Sequence, residues 1–115
     1  MTNDQFDNLR LELRRGCVPL AALAELRVER YGYTLRKALA EKGMAVDEGT
    51  LYPLLRRLES QGLLVSDWRE EDKRPKRFYR LTSEGRRIFD QLSVEWELIT
   101  SSLNEIMKES RHGSR

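Results

Sequence analysis

From Gly85 to Ile106 small or apolar residues recur at alternating intervals of four and three: Gly85, Phe89, Leu92, Trp96, Ile99, Leu103 and Ile106. That spacing holds a narrow stripe on one side of a helix and makes it a seam for a second helix, as in a coiled coil. No other feature constrains the fold as much. Thr82 stands where an N-cap is needed, so residues 82–109 are predicted as one helix. Phe89, Leu92, Trp96, Ile99, Leu103 and Ile106 become the expected dimerisation residues. Residues 110–115 read as a disordered tail.

Upstream of the stripe the chain reads as short helices and one hairpin. Residues 7–15 predict a charge-rich helix that Gly16 ends or bends. Residues 18–26 (VPLAALAEL) are nearly all apolar or small, with Pro19 acceptable in a first turn, and predict a buried helix that forms the floor of the core. A polar connection over 27–32 leads to a helix over 33–42 with Leu35, Ala38 and Leu39 on one face, terminated by Gly43. After a turn at 44–46, Asp47 is placed to N-cap a helix running through Gln61, with Leu51, Leu54, Leu55 and Leu58 on one face. Pro53 inside it predicts a distorted first turn or a start later than Asp47. Residues 63–69 and 77–81 then read as two strands around a long charged tip, EEDKRPK at 70–76.

Three helices followed by a hairpin is the element order of a winged helix-turn-helix. The expected fold class is therefore mainly α with a small β-hairpin: a winged helix-turn-helix over 1–81 plus a long C-terminal dimerisation helix. With its leucines turned inward, the second helix of the pair leaves Thr50, Tyr52, Pro53, Arg56, Arg57 and Ser60 on or near its outward side. Arginine reaches phosphates or guanine edges, and threonine and tyrosine hydroxyls donate to phosphate oxygens. Around the hairpin tip Lys73, Arg74, Lys76 and Arg77 flank Pro75. Cations there add affinity and salt dependence to DNA binding but little sequence information. Taken singly, adjacent arginines or a mixed charge run are usually a solvated surface; the order of elements is what gives them meaning. A reader of this size needs two copies, because one recognition helix touches too few base edges.

Composition narrows the alternatives. The chain has 115 residues, enough for one core, with 21 cationic and 19 acidic side chains and a net charge of +2. So small an excess points to no partner by itself; the distribution of charge has to decide. One cysteine, Cys17, excludes an intrachain disulfide and fits a reducing cytosol; it reads as a small buried side chain. No apolar run has signal-peptide or bilayer-spanning character, so a cytoplasmic protein with no membrane contact is expected. The single histidine, His112, lies in the tail, no glycine-rich phosphate loop occurs, and the adjacent acids Glu70, Glu71 and Asp72 read as solvated charges. Neither an enzyme, a metal site nor a cofactor is expected. Winged helices also serve as protein-docking adaptors, and a small-molecule sequestering protein could use the same cavity between subunits. The basic wing and outward arginines count against both.

The chain also resembles the PadR-type transcriptional regulators over nearly its whole length. The resemblance rests on RG at 15–16, GY at 32–33, GTLYPLL at 49–55, LESQGL at 58–63 and YRLTSEG at 79–85. It implies a homodimeric repressor on a roughly palindromic DNA operator, with DNA contacts at Tyr33, Thr50, Tyr52, the arginines of the same helix and the basic wing. The length is similar to that of the branch with a single C-terminal helix, which includes multidrug-sensing repressors. In that branch a tryptophan of the dimerisation helix sandwiches flat aromatic compounds, and Trp96 occupies the corresponding place. A small aromatic effector at Trp96 is therefore implied, beside the plainer role of Trp96 as a large packing residue of the seam. The chain departs from the family in a wing without the frequent glycine pair and in Cys17 where threonine is common.

Overall fold

The computed structural model describes the backbone of residues 4–113 and the side chains of residues 4–108. In chain order the elements are α1 (Asp4–Arg15), α2 (Val18–Glu25), β1 (Arg30–Tyr31), α3 (Gly32–Glu41), α4 (Glu48–Ser60), β2 (Leu64–Glu71), β3 (Arg74–Leu81) and α5 (Ser83–Gly113). The apolar spacing of α2, α3 and α4 turns one face of each inward, and Leu23, Leu26, Leu35, Leu51 and Leu55 are fully buried where the three meet. Leu64 and Tyr79 close the core from the sheet side. By contrast α1 buries none of its side chains, and its Phe6, Leu9 and Leu13 are exposed.

Breakers and caps set the boundaries. Gly43 (φ +87°) and Gly62 (φ +82°) turn the chain out of α3 and α4 through the left-handed region that glycine enters freely. Thr82 caps α5: its Oγ1 accepts from the Gly85 N–H (2.9 Å) and donates to the Gly62 carbonyl (2.7 Å). The Thr82 backbone N–H also donates to the Leu63 carbonyl (3.1 Å). The root of α5 is thus fastened to the end of α4.

The structure corrects several expectations. The polar connection contains a short strand, β1, which makes the hairpin a three-stranded antiparallel sheet in the order β1-β3-β2. Arg30 pairs with Tyr79 and Tyr31 with Phe78. The tip is not long: the ladder runs from Leu64–Leu81 out to Glu71–Arg74 and leaves only Asp72 (φ 56°) and Lys73 (φ 63°) to turn. Two positive φ values in succession make a turn whose twist matches that of the paired strands, so the charged run stays in the ladder. Counted from the closing pair, Pro75 falls in a non-hydrogen-bonded position beyond the reach of β1, and no ladder bond is lost. α4 begins at Glu48 despite Pro53, and since Pro53 and Gly49 are both exposed, water can satisfy the freed carbonyl. α5 continues through Gly113, so residues 110–113 are helical rather than irregular, no breaker standing before Gly113; residues 114–115 lie outside the described part. Cys17 is half-buried, because α1 leaves the turn at the start of α2 uncovered. No described helix is long and apolar enough to cross a membrane.

Candidate nucleic-acid interface

α4 presents its polar side to solvent because its four leucines are buried in the core. Thr50, Arg56 and Arg57 are all exposed on that side. The Thr50 hydroxyl donates to the Asp47 carboxylate (2.9 Å), bracing the first turn. Arg36 of α3 pairs with Glu48 (3.1 Å) and holds the two helices of the motif together. Among the described residues Arg56 and Arg57 have no ion-pair partner, so their guanidinium groups are available to a ligand.

Beside α4 lies a cleft of about 470 Å³ between this helix, the start of α3 and the base of the wing, lined by Tyr31, Tyr33, Tyr52, Arg56, Trp68, Lys76, Arg77 and Tyr79. Its floor depends on Gly32: a Cβ there would stand 2.7 Å from the Tyr52 hydroxyl oxygen, so only glycine lets the ring lie flat across the start of α3. Lys76 Nζ donates to the Tyr31 hydroxyl (3.3 Å) and lies 4.5 Å from that ring's centroid. The hydrogen bond to Tyr31 and the nearby carboxylates of Glu71 and Asp72 hold its ammonium above the usual lysine range, against the opposing effect of burial. Arg77 is committed to α4. Its Nη2 meets Glu59 at 3.0 Å, its Nε donates to Ser66 Oγ (2.9 Å), and Ser66 in turn donates to Glu59 (2.8 Å). Burial pushes the Tyr79 hydroxyl above its ordinary value, partly offset by the Arg77 charge. On the far face of the wing Arg69 stacks over Phe78 (4.0 Å) and pairs with Glu29 (2.6 Å), whose hydrogen bond and charge hold the guanidinium above the usual arginine value against the opposing effect of burial.

Of the expected DNA-contacting residues, the fold brings Tyr33, Tyr52, Arg56, Lys76 and Arg77 into this one cleft. Thr50 and Arg57 share the exposed side of α4 outside it, while Lys73 and Arg74 stand at the wing tip, free of ion pairs among the described residues. Three cleft side chains, Tyr31, Trp68 and Tyr79, escaped the reading of the sequence. The signal for Trp68 was the period of two along β2: it lies two residues beyond Ser66, which bonds α4, and four beyond the buried Leu64.

A second concavity, about 450 Å³ and almost wholly apolar, lies between the α1–α2 turn and α5. Leu13, Cys17, Leu20, Leu92, Trp96, Ile99 and Leu103 line it, with Glu95 its one charged neighbour. Of the expected seam, Leu92, Trp96, Ile99, Leu103 and Ile106 are 37–60% exposed in the single chain. Phe89 instead packs against the core of its own chain, under Arg27 at 5.1 Å.

The family model described as "Transcriptional regulator PadR-like family" matches residues 20–91. The chain is similar to a PadR family transcriptional regulator from Eggerthella lenta, with 40% identity, coverage of 91% of this chain and 94% of that one, and a TM-score of 0.87. It is also similar to a transcriptional regulator from Clostridium thermocellum, at 33% identity over 82% of this chain and 96% of that one, with a TM-score of 0.74. Among curated proteins it is similar to the transcriptional regulator Rv3488 of Mycobacterium tuberculosis, 50% identical over 58 residues, which span half of this chain and 54% of that relative's length. The matched segment runs from α2 through α4 and the wing into α5, with all the cleft residues inside it, and the chain belongs to the PadR-like family of transcriptional regulators.

Proposed function

We propose that this chain is a sequence-specific DNA-binding repressor that acts as a homodimer in the cytoplasm. In this reading residues 1–81 are the DNA-binding domain, with α4 in the major groove of a roughly palindromic operator and the wing on the flanking backbone. Residues 82–109 pair with the same segment of a second copy through Leu92, Trp96, Ile99, Leu103 and Ile106. The observation that carries it is the exposed side of α4, where Arg56 and Arg57 stand free of ion pairs among the described residues, with Arg56 reaching into the tyrosine-lined cleft beside it. An adaptor surface has no need for arginines held free on a helix of this geometry.

The apolar concavity at Trp96 supports a ligand-responsive version of the same device. A small aromatic effector seated against Trp96 would alter how two α5 helices cross and so change the separation of the two recognition helices. Effector binding that leaves operator affinity unchanged would sink this coupling, because linkage requires each ligand to alter the affinity for the other.

The test is fluorescence anisotropy of the protein's own upstream DNA against a scrambled duplex at two salt concentrations. A preference of about a thousandfold for the upstream duplex is expected of a specific repressor. Arg56→Ala and Arg57→Ala should each weaken specific binding by about 1–3 kcal/mol while the protein stays folded and dimeric. Unaltered binding by both variants would show that α4 does not read the groove.

A further inference from the structure

Trp68 is 63% exposed, on a strand otherwise occupied outward of Val65 by charged and polar side chains. Its side of the sheet is fixed by the ladder. Leu64 is buried, Ser66 bonds Glu59 of α4, and Trp68 continues the same face, opposite Arg77, which also bonds Glu59. The indole therefore stands on the α4 side of the wing, with the Arg77 guanidinium 5.7 Å from its ring centroid. Across the cleft are Tyr52 and Arg56 of the recognition helix.

The cleft walls carry Arg56, Lys76 and Arg77 together with aromatic rings; Arg56 is free of ion pairs among the described residues, while Arg77 is paired with Glu59 (3.0 Å) and Lys76 lies 3.6 Å and 3.9 Å from the Glu71 and Asp72 carboxylates. Cations beside apolar faces match a sugar-phosphate strand, whose phosphates are anionic and whose deoxyribose rings are weakly polar. When a recognition helix lies in the major groove, the strand bounding that groove has to pass beside the helix, where this cleft lies. We propose that the cleft between α4 and the wing grips one backbone strand of duplex DNA, and that Trp68 is a positioning residue whose indole packs on a deoxyribose of that strand. This rests on the DNA-binding reading above and adds to it a contact outside the expected arginines and wing lysines. Because the contact is to sugar, it contributes equally on specific and unspecific DNA. Because indole is uncharged, it releases no counterion.

The chain's two tryptophans allow a direct test. The parent and a Trp68→Phe variant, which retains only Trp96, are saturated at low salt with a scrambled duplex of about three helical turns, with binding followed by the anisotropy of a label on the DNA. The parent's tryptophan emission should shift or be quenched as DNA binds, and that change should vanish in Trp68→Phe. Trp68→Ala should weaken binding to upstream and scrambled duplexes by the same factor, about tenfold, with the slope of log affinity against log salt unchanged. Arg74→Ala, at the wing tip, should in contrast lower that slope by about 1. DNA binding by the parent without any change in emission, or the same change in Trp68→Phe, would overturn the contact while leaving the repressor reading intact. No rise in anisotropy on either duplex would overturn the repressor reading, and this contact with it.

Discussion

Lys73 turns the wing at φ 63°, where a side chain is strained by about 1 kcal/mol or more and glycine is not. Replacing it with glycine relieves that strain but adds freedom to the unfolded chain, for a net gain of about 0.5 kcal/mol, or roughly 2–3 °C in Tm. If Lys73 holds a phosphate, Lys73→Gly should at the same time lower the salt slope of DNA binding by about 1, so that stability and affinity move in opposite directions. Tyr79 offers a different residue-scale test. Burial raises its hydroxyl pKa above the ordinary 10, so the folded chain holds this proton more tightly than the unfolded chain does. The resulting stability is complete below pH 10 and is lost as pH rises through the folded value. Thermal melts between about pH 9 and 11 should therefore show a decline that is shallower in Tyr79→Phe; equal slopes would refute burial as the cause. At this scale the sequence disclosed Arg56 and Arg57, because helical spacing alone turns them away from four leucines. It could not disclose that Arg77 is tied to Glu59 or that Trp68 faces α4, since both depend on the register of the wing against a helix distant in sequence.

Among the elements, helices were legible and the sheet was less so. A leucine every three or four residues marks α3 and α4 unambiguously, whereas the two residues of β1 carry no periodic signal and become a strand only because β3 offers them partners. The charged run at the hairpin tip reads as loop because its side chains are those of a solvated turn, yet the ladder uses backbone groups that Glu70 and Lys76 supply as well as valine does. Close approaches between elements lead to unlike outcomes at two glycines. At Gly85 a Cβ would lie 2.0 Å from the Leu63 carbonyl oxygen, a backbone atom that cannot turn aside. Gly85→Ala should cost about 3 kcal/mol, read as a fall in the urea midpoint. At Gly32 the obstacle is the far end of the Tyr52 ring, which can swing away. Gly32→Ala should cost less than about 1 kcal/mol of stability yet weaken DNA binding by displacing Tyr52 from the cleft. A larger stability loss at Gly32 than at Gly85 would contradict this account.

For the whole molecule, α5 spans 31 residues, about 46 Å along its axis, and runs from its root at Thr82 past the α1–α2 turn, which it meets between Leu92 and Leu103. The four-three apolar stripe made one long helix legible in the sequence, and Leu92, Trp96, Ile99, Leu103 and Ile106 stand exposed along it in the single chain. A role for α1 was not legible, because its Phe6, Leu9 and Leu13 are dispersed among charges and stay exposed, and of the three only Leu13 reaches the concavity beside α5. Leu103→Asp places a carboxylate in the proposed seam. Sedimentation should then find a folded monomer, and operator affinity should fall by about a hundredfold or more; a dimer that survives the change would move the interface elsewhere. Thr82 fastens the root of α5 to Gly62 and Leu63, directly after α4. In the proposed dimer the two heads are therefore the jaws of a caliper whose opening is set by α5. Each base pair inserted between half-sites rotates one of them by about a tenth of a revolution around the duplex, and the knot at Thr82 leaves the jaws no slack with which to follow.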